Sequence, residues 1–359
     1  MVLDFGMLLP GPLASLMLCE AGARVIKIER PGRGDDMRHY EPRLGADSTN
    51  FHMLNRGKES LVLDLKNADD QKALRPWLER ADILVEQFRP GVMAKFGLDY
   101  ETVSRINPRM IYCSVTGWGQ TGPRASIAGH DLNFFAESGL AQRSVDAQGD
   151  PILPPALIAD IACGSMPAVI NVLLALLKRQ QTGKGCYIDV AMCDALPMFA
   201  YADLGEGFYS GHWTAPNLGL TNGGSPRYQY YRTSDARHIA AAPMEERFWV
   251  EFCRIIGLPD ALRDSCDENP EQVRSAVAEI MAQRSAADWM KAFGLSDVCC
   301  SLVCDLPEAV SGDHQAVRKT FGRKVVVDGV TLPALPLPIA RVFQSDDALN
   351  PAPRLGERR

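Results

Sequence analysis

The first thirty residues, Met1–Arg30, read MVLDFGMLLPGPLASLMLCEAGARVIKIER. Val2–Phe5 reads as a short apolar strand, Ala14–Ala21 as a helix closed by Gly22, and Val25–Glu29 (VIKIE) as a second strand. Parallel neighbours need a crossover, so strand, helix and strand in this order predict a parallel pair. The alternation continues outward. Ser60–Asp64 reads as a third strand, and Asn67–Arg80 as a helix with Leu74, Trp77 and Leu78 at helical spacing. Ile83–Glu86 and Met110–Val115 read as a fourth and a fifth strand. An α/β fold follows: a Rossmann-like, mostly parallel sheet with helices on both faces and ligands at the carboxyl ends of its strands.

The loop after the first strand, Gly6-Met7-Leu8-Leu9-Pro10-Gly11-Pro12, lacks G-x-G-x-x-G and the Lys-Ser/Thr of a triphosphate loop. Neither NAD nor ATP is therefore supported. Its prolines predict a stiff loop. A long helix is expected from Ile161 to about Gln181, with Asp160 as its N-cap, and a strand over Tyr187–Met192. Gly205–Pro226, rich in Gly, Pro, Asn and Thr, reads as a linker. Beyond it come a strand over Arg237–Ala241 and helices over Glu246–Ile256, Pro270–Arg284 and Ala286–Phe293. The expected organisation is a large α/β domain over 1–200, a linker over 201–225, a smaller α+β domain over 226–320, and a C-terminal segment over 321–359 returning to the large domain.

The 359 residues are 46% hydrophobic and 23% charged, the profile of a globular chain that needs neither disulfides nor metal to fold. Ten cysteines are scattered without a C-x-x-C pair or a nearby His, so no metal site is expected. The net charge is −6 and no basic stripe appears, which argues against nucleic acid. The longest apolar run, Met166–Leu177, is broken by Asn171, and no basic residue precedes Arg24. Neither a membrane span nor a signal peptide is expected, and the location expected is cytoplasmic.

His130 follows the glycine-rich stretch TGWGQTGPRASIAG, where ligands approach backbones. Asp160 at a helix start is by itself an ordinary cap. A His suits proton transfer near neutrality, and an Asp could share that work only if burial raised its proton affinity. A His facing an Asp across a carbon acidified by a thioester fits proton exchange at that carbon.

Several segments in order then carry a resemblance over essentially the whole chain. They are LDFGMLLPGPLAS, EAGARVIKIERPGRGD, LNRGKESLVLDLK, ADILVEQFRPGVMAKFGLDY, IYCSVTGWGQTGPRASIAGHDLNF, ADIACGSMPAVINVLLALLKRQQTGKGCYIDVAMCDA and NGGSPRYQYYRTSD. They resemble the family III coenzyme A-transferase and α-methylacyl-CoA racemase superfamily. The resemblance implies Asp160 as nucleophile in a transferase, through an aspartyl-CoA thioester, or as acid/base in a racemase. The segment Gly129-His130-Asp131-Leu132-Asn133 looks like the racemase version. In PMEERFW, Glu245 aligns as the carboxylate that holds His130, with Glu246 the fallback if the register slips by one. The resemblance further implies coenzyme A contacts from Arg30, Lys66 and Arg89, and no cofactor beyond the coenzyme A moiety of the substrate. It also implies an interlocked homodimer. The leading expectation is a racemase or epimerase of 2-methylacyl-CoA thioesters. A family III transferase is the alternative, and a non-catalytic acyl-CoA binder the third reading. The glycines Gly164, Gly223 and Gly224 are expected to permit close backbone approach. The chain departs from the family's pattern at Asn222, where racemases tend to carry Asp, and at Glu137, which puts a charge in a usually apolar segment. Both ends look clipped.

Overall fold

The computed structural model describes residues 1–344 and 349–358. These form two compact units. The first comprises Met1–Ser138, Pro154–Met198 and Asp313–Arg359; the second comprises Gly139–Leu153 and Phe199–Gly312.

The first unit is built on a six-stranded parallel sheet. The sheet strands and the elements that frame the site are, in chain order, β1 (Val2–Asp4), α1 (Pro10–Glu20), β2 (Val25–Glu29), β3 (Glu59–Val62), α2 (Ala68–Arg80), β4 (Ile83–Glu86), β5 (Ile111–Thr116), α3 (Asp131–Glu137), a π-helical turn (Ala159–Ser165), α4 (Met166–Thr182) and β6 (Cys186–Ala191). The spatial order is β3-β2-β1-β4-β5-β6. The chain steps outward from β1 to β3, then returns to the other side of β1, so the crevice between the β1 and β4 ends is a topological switch point. Leu3 pairs with Ile26 on one side and Leu84 on the other.

Successive residues of a strand point to opposite faces, and the two cores follow that alternation. Leu3, Ile26, Leu61, Leu84 and Tyr112 pack on one face with Leu74 and Leu78 of α2. Val2, Val25, Ile83, Val85, Ile111 and Cys113 pack on the other with Ala14 and Leu18 of α1 and Ala168, Val172 and Ala175 of α4. Each buried aliphatic side chain of this kind contributes roughly 1.5–3 kcal/mol.

Between the strands runs a chain of buried charges. Lys58 Nζ donates to Asp4 Oδ2 at 3.0 Å, to Pro12 O at 2.9 Å and to Asn55 Oδ1 at 2.8 Å. Lys27 Nζ donates to Gly6 O at 2.7 Å and lies 2.8 Å from Asp35. Asp35 in turn accepts the amide of Leu8, which sits at φ 60°, in the left-handed region. Burial works against the Asp4 charge, yet Lys58 and Lys27 hold its carboxyl below the usual carboxylate range. These ion pairs therefore fix the shape of the loop after β1.

The second unit carries the antiparallel sheet β9-β8-β7, from β7 (Gln229–Arg232), β8 (His238–Ala241) and β9 (Cys300–Leu302). Helices α6 (Glu246–Ile256), α7 (Pro270–Met281) and α8 (Ala286–Phe293) pack on it around Trp249, Phe252, Val273, Val277 and Trp289.

Four expectations need revision. Pro10 starts α1 and Pro12 lies in its first turn, where a missing N–H is harmless, so these prolines begin a helix rather than stiffen a loop. The stretch expected as a linker contains α5 (Tyr201–Ser210), ended by Gly211 at φ 73°. Glycine at 207 fits because an added Cβ would lie 2.5 Å from the Trp213 ring. The division of the chain also differs. Residues 139–153 join the second unit through Arg143 with Asp203 at 2.6 Å and Asn217 Nδ2 to Val145 O at 2.7 Å. The return to the first unit comes at Asp313. Finally, the π-turn extends α4 backwards into one helix of 24 residues, Ala159–Thr182, long and apolar enough to cross a membrane by length and composition.

Candidate functional site

At the switch point, the amide of Gly11 donates to Gln87 Oε1 at 2.9 Å, tying the first turn of α1 to the β4 loop. Glycine is required at position 6, where a Cβ would lie 2.8 Å from both Asp4 and Pro12. Beside this junction opens a cleft of about 470 Å³ lined by Gly6, Met7, Lys27, Arg30, Lys66 and Phe88, among others. The structure thus brings two of the expected coenzyme A contacts together. Arg30 is 48% exposed, pairs with Asp36 and donates through Nε to Gly34 O at 3.0 Å. Lys66, also exposed, lines the same cleft. Arg89 lines a separate cleft of about 430 Å³ with Glu86, Tyr112, Gln120 and Tyr187. Burial pushes the Glu86 carboxyl up to about 7. Sequence reasoning missed Glu86 and Lys27 because each lies inside an apolar strand, where a charge carries no local signal of its partner.

Asp160 is not the N-cap of its helix. It is the second residue of the π-turn and half-buried, and among the described residues its carboxylate has no hydrogen-bond partner. A π-turn holds one residue more than an α-turn, and such bulges are frequent at functional sites. The turn is stitched in place: Ser165 Oγ donates to Pro10 O at 2.9 Å and lies 3.1 Å from Asp160 O. The Asp160 amide donates to Asp131 Oδ1 at 2.8 Å. Burial, reinforced by the Asp131 charge and opposed by His130, raises the Asp160 carboxyl from 3.8 to about 6. That proton affinity suits a group that takes and returns protons near neutrality.

His130 is the exposed N-cap of α3, and its amide donates to Asn133 Oδ1 at 3.0 Å. α3 packs against the π-turn, and its Asp131 accepts the Asp160 amide, so His130 and Asp160 share one neighbourhood, with no hydrogen bond between them among the described residues. Glu245 belongs to the second unit, as the exposed N-cap of α6. Its carboxylate makes no hydrogen bond among the described residues, whereas Glu246 pairs with Arg227 at 2.8 Å. Of the two candidates, Glu245 is the uncommitted one.

Other expectations find structural explanations. Glu137 pairs with Arg124 at 2.9 Å, and Asn222 Nδ2 donates to Arg143 O at 3.1 Å. A Cβ at Gly164 would lie 3.0 Å from Met192 Sδ, and one at Gly224 would lie 2.1 Å from Leu218 O. Both glycines therefore admit the chain's own neighbours.

The arrangement is a half-buried carboxyl whose proton affinity is raised to about 6, an imidazole close by, and a cleft at the switch point whose charged lining mixes Lys27, Arg30 and Lys66 with Glu29, Asp35 and Asp64. The chain is 35% identical over 324 residues to the alpha-methylacyl-CoA racemase of Homo sapiens, covering 89% of this chain and 81% of the racemase. It is 32% identical over 374 residues to the acetyl-CoA:oxalate CoA-transferase of Acetobacter aceti, covering 100% of this chain and 92% of the transferase. The crystal structure of a CAIB/BAIF family protein from Brucella suis matches with a TM-score of 0.82 at 27% identity, over 99% of this chain and 95% of that one. A model of CoA-transferase family III matches residues 1–359. The chain belongs to CoA-transferase family III, whose relatives include both racemases and CoA-transferases.

Proposed function

We propose that this enzyme racemises or epimerises 2-methylacyl-CoA thioesters by removing and returning the α-proton through an enolate. The observation that carries the reading is His130 beside an Asp160 whose carboxyl is raised to about 6. One group takes the proton from one face of the α-carbon while the other supplies a proton to the opposite face. Glu245 is proposed to hold His130 and strengthen it as a base, supported by its motif position and its uncommitted carboxylate. Arg30 and Lys66 are proposed to receive the phosphates of coenzyme A, supported by their shared cleft, with Arg89 contributing from its own. No cofactor beyond the coenzyme A moiety is invoked.

We infer a homodimer, interlocked as the family resemblance implies. Support comes from α4, where Ile170, Leu173, Leu174 and Leu177 form a stripe at helical spacing with every member at least 50% exposed. Such a stripe on a folded protein marks an interaction face. A cytoplasmic location is supported by ten free cysteines.

The test is incubation with a single-epimer 2-methylacyl-CoA in deuterated water. Deuterium at the α-carbon together with loss of chirality is expected, and absence of both refutes the reading. The oxalate CoA-transferase among the relatives keeps a second reading open, with Asp160 as nucleophile. That reading requires an aspartyl-CoA species trappable by hydroxylamine and activity indifferent to His130→Ala. Under the racemase reading His130→Ala lowers the rate ~10²–10⁴-fold.

A further inference from the structure

Asp131 is buried at 4% exposure, yet neither the motif nor the proposed chemistry gives it work. It directly follows His130 in the chain, and its Oδ1 accepts the amide of Asp160, 29 residues later, at 2.8 Å. One carboxylate thus links the segment that carries the imidazole to the turn that carries the acid. We propose that Asp131 is a positioning residue. Its carboxylate clamps the Asp160 backbone at a fixed offset from His130, and its negative charge makes the neighbouring Asp160 carboxyl a stronger base.

The inference rests on the racemase reading and deepens it. Two carboxylates sharing a partly dehydrated site cannot both ionise as freely as one alone. The Asp131 charge acts on Asp160 and also helps raise the Cys163 thiol in the same turn. Other titratable groups on elements packed against the turn are Glu137 on α3, Tyr112 and Cys113 on β5, Cys186, Tyr187 and Asp189 on β6, and Cys193 and Asp194 on the helix Met192–Ala195. Cys19 and Glu20 stand at the far end of α1, and Lys178 and Arg179 at the far end of α4. Among the described residues, only Asp131 and His130 contribute charge effects at Asp160. A stronger base at Asp160 takes the α-proton more readily near neutral pH and can still return it.

Two variants separate clamp from charge. Asp131→Asn keeps an oxygen that can accept the Asp160 amide but removes the charge; Asp131→Ala removes both. The Asp160 carboxyl is titrated by ¹³C NMR in the full chain, and α-proton exchange of a 2-methylacyl-CoA is followed against pD. The Asn variant is expected to titrate about one unit lower than wild type, with the acid limb of the exchange profile moving equally. The Ala variant is expected to lose about 10–100-fold in exchange rate, most of it restored in Asn. An unchanged Asp160 titration in Asp131→Asn, or equal losses in Asn and Ala with unmoved acid limbs, overturns the proposal. If wild type shows no exchange, the racemase reading fails, while the NMR titration still decides whether Asp131 tunes Asp160. If the Ala variant does not fold, the Asn titration decides.

Discussion

Replacing Asp160 by Asn should make the protein more stable at neutral pH while removing the proposed chemistry. The Asp160 carboxyl stands near 6 when folded against 3.8 for the ordinary group, a difference of about 2.2 units. Below pH 3.8 both folded and unfolded chains hold the proton, and the carboxyl costs the fold nothing. Between 3.8 and 6 the unfolded chain ionises while the folded one resists, so stability falls as pH rises; above 6 the loss is constant. At about 1.36 kcal/mol per unit the ceiling is ~3 kcal/mol. The carboxyl is only half-buried and water screens part of the effect, which leaves about 1–2 kcal/mol. Asn has nearly the same volume and no charge to bury. Urea unfolding of wild type and Asp160→Asn from pH 4 to pH 8 should show curves that meet at the acid end and separate by about 1–2 kcal/mol at pH 7.5. An Asn variant no more stable than wild type at pH 7.5, or a gap independent of pH, would refute the reasoning.

Lys58→Met leaves the buried Asp4 carboxylate with Lys27 as its cationic neighbour and with hydrogen bonds from Ser15 Oγ and the Gly6 amide, and should cost about 3–5 kcal/mol in urea unfolding. Adding Asp4→Asn should recover part of the loss. Leu74→Ala opens a cavity at a fully buried position of α2 and should cost about 2–5 kcal/mol by the same assay. Arg30→Ala should weaken coenzyme A binding about 10–100-fold in calorimetry, the loss of a charged hydrogen-bond donor to phosphate. Leu173→Glu on the exposed stripe of α4 should shift light scattering from the proposed dimer to monomer.

The sheet was legible because its strands are apolar and flanked by turns. Val25–Glu29 and Ile83–Glu86 have the bounds expected of them, and Asn67 caps α2 where the pattern placed its start. Less legible were elements whose stability comes from contacts distant in sequence. Glycines at 205, 207 and 211 read as a linker, yet Gly207 admits Trp213 and only Gly211 ends the helix. The short helices Thr49–Asn55 and Tyr100–Ile106 went unread because seven residues barely establish a period. At the candidate site, the residue types of His130 and Asp160 were visible but their neighbourhood was not. Asp131 was beyond reach for the same reason: its partner lies 29 residues away, and an adjacent His and Asp carry no sign of a shared clamp.

The second unit interrupts the first twice, and that order of segments matters while the chain is being made. β5 ends at Thr116 and its outer neighbour β6 begins at Cys186, so 69 residues separate them. At ~5–20 residues per second a ribosome needs about 3–14 s to cover that distance. Throughout it β5, buried on every residue in the finished fold, presents an unpaired parallel edge. An open, apolar edge invites pairing with another nascent chain. Heterologous expression should therefore reward slow synthesis, low temperature and abundant chaperone more than any surface redesign.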